Sequence, residues 1–124
     1  NASMKKGFTL PTCKTCQRIF DDLNPAKNGF EIIDIKAVGI SSQDLDDMKE
    51  LKGSYEALFS RRAMKFRSLN LNEKTLSEDD YRTLILGEYT FLKRPVFLFD
   101  NSVTVGSRKS EIDKARELLS QKID

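Results

Sequence analysis

Cys13 and Cys16 stand three residues apart in Pro11-Thr12-Cys13-Lys14-Thr15-Cys16-Gln17-Arg18, between a short apolar run and an amphipathic helical pattern. A thiol at the start of a helix faces backbone N–H groups without intrahelical partners, and the positive end of the helix dipole. Both favour the thiolate, which is the reactive form. At an ordinary pKa of about 8.5, roughly 3% of a cysteine is ionised at pH 7, and at about 6.5 roughly 75%. The placement points to thiol redox chemistry. A sulfenic acid or mixed disulfide on Cys13 would find a second thiol within one helical turn and could collapse to Cys13–Cys16. Cys16, one turn into the helix, can also be read as a small core residue.

The composition narrows the alternatives. There is no histidine, and Cys13 and Cys16 are the only cysteines. That removes Cys–His nucleophile pairs, Ser–His–Asp triads and histidine metal ligands. Half a zinc site would need carboxylates or a second chain to complete it, so no metal is expected. A permanent structural disulfide is a further reading, but closing so short a loop constrains the unfolded chain little. The net charge of +2 comes with both signs scattered along the chain, and no basic block directs it onto nucleic acid. No apolar stretch approaches the roughly 18 residues of a membrane span, and no secretory apolar region is visible, which favours a cytoplasmic protein. Asn1-Ala2-Ser3 ahead of Met4 reads as a cloning remnant, and the 124 residues as a single domain.

The elements that must position the cysteines follow from periodicity. Lys5 to Leu10 reads as a strand ended by Pro11, and Cys16, Ile19, Phe20 and Leu23 then fall on one helical face. Asn24-Pro25 and Lys27-Asn28-Gly29 form a turn. Phe30 to Ile35 is a second strand, whose paired isoleucines predict substantial burial. Ser41 and Asp44 have capping-box spacing ahead of a stripe of Leu45, Met48 and Leu51. Gly53-Ser54 interrupts, Tyr55 to Phe66 is expected to be helical, and Ser77 with Asp80 repeats the cap before Tyr81, Leu84 and Leu86. The acidic run Asp44, Asp46 and Asp47 reads as a solvated helix face. Tyr55, Phe59 and Phe66 read as packing residues. Pro95 to Phe99 and Val103 to Val105 form a hairpin across Asp100-Asn101-Ser102, and Ser110 caps a last helix with Ile112, Ala115, Leu118 and Leu119. The order is βαβ, a helical insertion over about residues 40–90, then ββα. This is an α/β chain on the thioredoxin-like plan, with a mixed sheet.

These residues resemble the ArsC/Spx family: arsenate reductases, their relatives and the Spx transcription regulators. Four segments in order carry the likeness, which runs from about Lys5 to Leu119. Pro11-Thr12-Cys13-Lys14-Thr15-Cys16 is similar to the family's active-site turn. Leu58-Phe59-Ser60-Arg61-Arg62-Ala63 is similar to an L-F-N-T-R-G segment. Leu92-Lys93-Arg94-Pro95 is similar to I-K-R-P, and Val105-Gly106-Ser107-Arg108-Lys109-Ser110-Glu111 to the R-P-S-E segment of arsenate reductases. The resemblance implies that Cys13 is the nucleophile, that Arg62, Arg94 and Arg108 surround an oxyanion, and that Pro95 is cis beside the active-site turn. Arginine suits a tetrahedral oxyanion because its forked donors are permanently charged, and it also stabilises a nearby thiolate.

Two positions depart from the reductases. Cys16 stands where the glutaredoxin-linked enzymes carry serine, and matches instead the Spx pattern, in which the pair forms a disulfide. Gln17 stands where most members of both groups carry arginine or lysine. The resemblance thus implies a bacterial thiol oxidoreductase acting on a small oxyanion or thiol substrate. Glutathione with glutaredoxin, or thioredoxin, would be the electron donor and redox partner. The alternative it implies is a Spx-like redox-sensing regulator that binds the C-terminal domain of the α-subunit of RNA polymerase, with no direct contact to nucleic acid.

Overall fold

The computed structural model describes residues 4–121; the Asn1-Ala2-Ser3 segment, expected to be a cloning remnant, lies outside them. In chain order the elements are β1 (Lys5–Thr9), α1 (Lys14–Leu23), β2 (Glu31–Asp34), α2 (Ile35–Val38), α3 (Ser42–Lys52), α4 (Met64–Ser68), α5 (Glu78–Gly87), β3 (Val96–Phe99), β4 (Val103–Val105) and α6 (Lys109–Ser120). They fall into two compact units. One comprises the described parts of Asn1–Val38 and Arg94–Asp124, and the other is Gly39–Lys93.

The first unit is built on a mixed four-stranded sheet in the order β2-β1-β3-β4. β1 runs parallel to β2 and antiparallel to β3, and β3 is antiparallel to β4. Ladder partners point to one face, so the registers place Ile32, Gly7, Phe97 and Thr104 in a row across the sheet. On that face Ile19 and Leu23 of α1, Phe30, Phe97, and Ala115 and Leu119 of α6 form one apolar core. Phe20 stacks on Phe97 at 5.2 Å between ring centres, and Phe30 meets Phe99 edge-on at 5.1 Å. Gly7 makes the stack possible: a Cβ there would lie 3.3 Å from Phe20 Cζ. On the outer surface Arg116 of α6 joins Asp22 of α1 at 2.9 Å.

Three expectations change in this unit. β2 is a sheet margin, so Ile32 is 40% exposed and Ile33 only half-buried; the buried apolar residues are Phe30 and Ile35 on either side of it. Ile35 leaves the strand because Asp34 Oδ1 accepts the N–H groups of Lys36 and Ala37, at 3.0 and 3.1 Å, and turns the chain into α2. α6 begins at Lys109 with Arg108 as N-cap, so Ser110 lies inside the first turn. Glu111 Oε1 accepts the Val105 N–H at 2.9 Å and ties that turn to β4.

In the second unit Ser41 caps α3, accepting the Asp44 N–H at 3.0 Å, and Leu45 and Met48 are fully buried. The apolar stripe stops there, since Leu51 is 39% exposed in the last turn before Gly53. Tyr55 to Phe66 is not a continuous helix. A short 3-10 turn at Glu56–Leu58 leads into a bridge between Phe59 and Leu92, and only Met64–Ser68 is α-helical. Backbone bonds from Ser60 N–H to Phe91 O at 2.7 Å and from Lys93 N–H to Leu58 O at 2.8 Å hold that bridge against helix formation. Phe59 is the hub of the packing, stacked on Phe91 and edge-on to Tyr81, both at 4.9 Å. Ser77 and Asp80 form the reciprocal cap of α5, whose buried residues are Tyr81 and Ile85, with Leu84 and Leu86 half-buried. The acidic run is not simply solvated: Asp44 is buried, and Asp46 binds Arg82 and Tyr55.

Candidate active site

The turn before α1 sets the geometry. Pro11 presets its own backbone for the first corner, and Cys13 N–H donates to Leu10 O at 2.9 Å to close Leu10–Cys13. Cys13 is the N-cap of α1, with extended backbone at φ −87° and ψ 115°. An N-cap in that conformation presents its side chain to the first free N–H groups of the helix. Here the side chain ends in sulfur, and those N–H groups favour its anion. Burial pushes the Cys13 thiol up, but the Cys16 N–H, the Cys16 thiol, the Thr15 N–H and the Arg94 guanidinium outweigh it and hold Cys13 below its ordinary value.

Cys16 is the opposite case. It is fully buried on the core face of α1, and both cysteines are free thiols. Burial pushes the Cys16 thiol up, and the hydrogen bond and negative charge of Cys13 add to that; the Leu10 N–H and the Thr9 hydroxyl only partly oppose it. The pair is therefore asymmetric, with a half-exposed sulfur that favours the anion beside a buried one that keeps its proton. Such a pair can chemically offer a reactive thiolate together with a second thiol that still holds its proton.

The sheet brings other residues to the same end. Val96 pairs with Phe8, so the Arg94–Pro95 bond, which is cis, lies at the end of β1 that leads into Cys13. Val105 pairs with Val96, and Gly106 N–H donates to Pro95 O at 2.9 Å, so the segment entering α6 lies at that end too. Gly106 takes φ 87°, a left-handed conformation that suits glycine. Arg108 follows as the exposed N-cap of α6. Arg62 belongs to the second unit, where it is exposed in the turn between the Phe59 bridge and α4. The structure thus gathers Cys13, Cys16 and Arg94, sets Arg108 at the same end of the sheet, and carries Arg62 on the other unit.

Three groups at the site escaped sequence reasoning. Thr9 and Leu10 read as the end of a strand, yet their hydroxyl and N–H meet the Cys16 sulfur. The Gln17 side-chain amide donates to Pro11 O. A polar residue in the first full turn after an N-cap was the available signal, since such a position faces back towards the preceding loop. Among the described residues, no group of three or more His, Cys, Asp and Glu could hold a metal ion, and no helix is long and apolar enough to cross a membrane.

Comparison with known proteins agrees with this architecture. The global transcriptional regulator Spx 2 of Bacillus cereus is 27% identical over 112 residues, which cover 86% of this chain and 82% of that protein. YusI of Bacillus subtilis, an uncharacterised protein, is 29% identical over 110 residues, covering 86% and 93%. An arsenate reductase from Vibrio cholerae shares the fold, with a TM-score of 0.75 at 16% identity and coverage of 92% of this chain and 98% of that one. The fold is the thioredoxin-like α/β fold of such proteins. The ArsC family model matches residues 8–115, and the chain belongs to the ArsC family.

Proposed function

We propose that this chain is a thiol-dependent oxidoreductase of the arsenate-reductase-like kind, with Cys13 as nucleophile and Cys16 as resolving thiol. The observation that carries the reading is the asymmetry of the pair, a half-exposed sulfur favoured as thiolate against a buried one favoured as thiol. Arg94 and Arg108 are the anion ligands offered at that end of the sheet; Arg62 enters on the family resemblance alone. With arsenate as substrate, the Cys13 thiolate attacks arsenic(V) and displaces water. The Cys16 sulfur then attacks Cys13 Sγ, arsenic leaves with the bonding pair as arsenite, and the Cys16 proton goes to the departing oxyanion. Two thiols have become one disulfide and arsenic has gained two electrons. One thioredoxin dithiol, or two glutathione thiols acting through glutaredoxin, restores the pair by exchange and leaves as the corresponding disulfide. Arsenate-dependent turnover with each donor tests this directly. Activity that disappears in Cys13→Ser is expected, and no turnover with either donor removes the enzymatic reading.

A second reading has a specific observation behind it. Cys16 supplies a thiol in contact with Cys13, and Spx 2 is among the relatives, so the same pair could serve as an oxidation switch in a regulator that binds RNA polymerase. Capture of the C-terminal domain of the polymerase α-subunit, with and without reductant, tests it. Binding that changes with the state of the cysteines favours this reading, and no binding in either state disposes of it.

A further inference from the structure

We infer that Gln17 is a positioning residue for the Cys13 sulfur, clamping the Pro11–Cys13 turn onto the first turn of α1. The inference rests on the reading of Cys13 as nucleophile. Gln17 uses two donors. Its backbone N–H donates to Cys13 O at 3.0 Å, as the helix requires, and its side-chain amide donates to Pro11 O. One residue therefore holds the carbonyls on both sides of Thr12, while Cys13 N–H is held by Leu10 O. With these three bonds made, the Thr12–Cys13 segment cannot rotate without breaking one of them.

That restraint matters because the sulfur is stabilised by direction. Cys13 is the N-cap of α1 with extended backbone, the conformation in which an N-cap side chain faces the first free N–H groups of its helix. If the turn loosens, the sulfur spends part of its time away from those donors and the thiolate loses part of its advantage. Packing gives the turn little support of its own, because Pro11 and Thr12 are both exposed. Gln17 is itself exposed, so water competes for its bond and the effect is modest. A group acting through orientation can still alter a reactive atom it never touches.

The experiment compares wild type with Gln17→Met, Gln17→Ala and Gln17→Arg by iodoacetamide alkylation from pH 5 to 10, locating the modified cysteine by mass spectrometry. Methionine keeps the length without a donor, whereas arginine restores one. For the methionine and alanine variants the titration midpoint of Cys13 is expected to rise, with about two- to threefold slower alkylation at pH 6 and an unchanged plateau at high pH. Arginine is expected to react at least as fast as wild type. Thermal midpoints should stay within about 2 °C of one another. A Gln17→Met profile that coincides with wild type overturns the inference. So does a lowered plateau at constant midpoint, which would mean altered access, and so does an arginine variant as slow as methionine. A wild-type midpoint at the ordinary cysteine value would instead overturn the nucleophile reading, and this inference with it.

Discussion

The unit formed by the four strands with α1, α2 and α6 fixes its parts by a continuous backbone ladder, whereas Gly39–Lys93 has a single isolated bridge, between Phe59 and Leu92. What the second unit lacks in ladder it makes up in specific side-chain contacts. Arg82 grips both oxygens of Asp46, at 2.8 and 3.1 Å, and Tyr55 donates to the same carboxylate. Glu78 receives the N–H groups of Tyr55 and Glu56, Arg61 reaches Glu56 and the Tyr81 hydroxyl, and Lys65 pairs with Glu88 at 2.6 Å. The difference is instructive about what each region is for. A ladder sets backbone position to a fraction of an ångström and suits a sulfur that must face particular N–H groups. A unit held by aromatic and ionic contacts has no such repeat, and its structure depends on charge state as well as on volume.

The largest tests of that contrast remove one aromatic hub from each unit. Phe97 and Phe59 are both fully buried, and truncating either to alanine should cost about 3–5 kcal/mol. All three tyrosines, Tyr55, Tyr81 and Tyr89, lie in Gly39–Lys93, so tyrosine fluorescence on urea unfolding reads Phe59→Ala. Protection of the buried Cys16 from alkylation reads Phe97→Ala. A tyrosine midpoint unmoved by Phe59→Ala would break the assignment of that ring as a hub. A smaller effect separates the units by glycine. In Gly7→Ala the new Cβ meets Phe20 at 3.3 Å and Ile32 at 3.5 Å, and overpacking of that kind costs about 1–3 kcal/mol. Gly87 of α5 has open space around it, so Gly87→Ala should leave stability unchanged or slightly raised.

The same contrast separates what is legible in the sequence from what is not. β1, α1, the β3–β4 hairpin and the Ser77 cap follow from local periodicity and turn chemistry, which act over a few residues and leave a mark at each. The Cys13–Lys14–Thr15–Cys16 spacing belongs to that class, so the core of the candidate site is visible there. What stays hidden depends on partners far along the chain. Ile32 and Ile33 look like core until the strand order makes β2 an edge. Tyr55 to Phe66 has a helical pattern, but Leu92, more than thirty residues on, claims the Phe59 backbone. Asp46 reads as a solvated acid until Arg82 folds onto it. Gln17 carries no periodic signal, because its partner is a backbone carbonyl that any residue would supply.

Two substitutions of about equal size and opposite sign probe polar satisfaction in each unit. Thr104 is 1% exposed, and its Oγ1 has no hydrogen-bond partner among the described residues. Valine has nearly the same shape without the hydroxyl, so Thr104→Val should stabilise the first unit by about 1 kcal/mol. Ser77 makes both halves of a reciprocal cap with Asp80, and Ser77→Ala should destabilise the second unit by about 1 kcal/mol. Urea midpoints at constant m-value measure both. A destabilised Thr104→Val would mean that the hydroxyl has a partner after all, such as an ordered water.

The smallest expected effect is also the one that isolates the ionic character of the second unit. Hydrogen bonds from Arg82, then from Tyr55, hold the Asp46 carboxyl down at about 2. An unfolded aspartate titrates near 3.9, so the folded state binds the proton less readily than the unfolded one. A depressed carboxylate contributes its stability in full above the unfolded value and loses it as pH falls through the folded one. The stability difference between wild type and Asp46→Asn should therefore be constant from about pH 7 to 5 and shrink as pH falls from about 4 towards 2. The pair is partly exposed, so the difference should also shrink in about 1 M salt, where charges are screened within roughly 3 Å. Phe59→Ala, whose cost comes from volume, should respond to neither pH nor salt in this way. A wild-type to Asp46→Asn difference that stays flat down to pH 2 would show that Asp46 contributes by packing, and the contrast between a ladder-held and a charge-held unit would lose its main support.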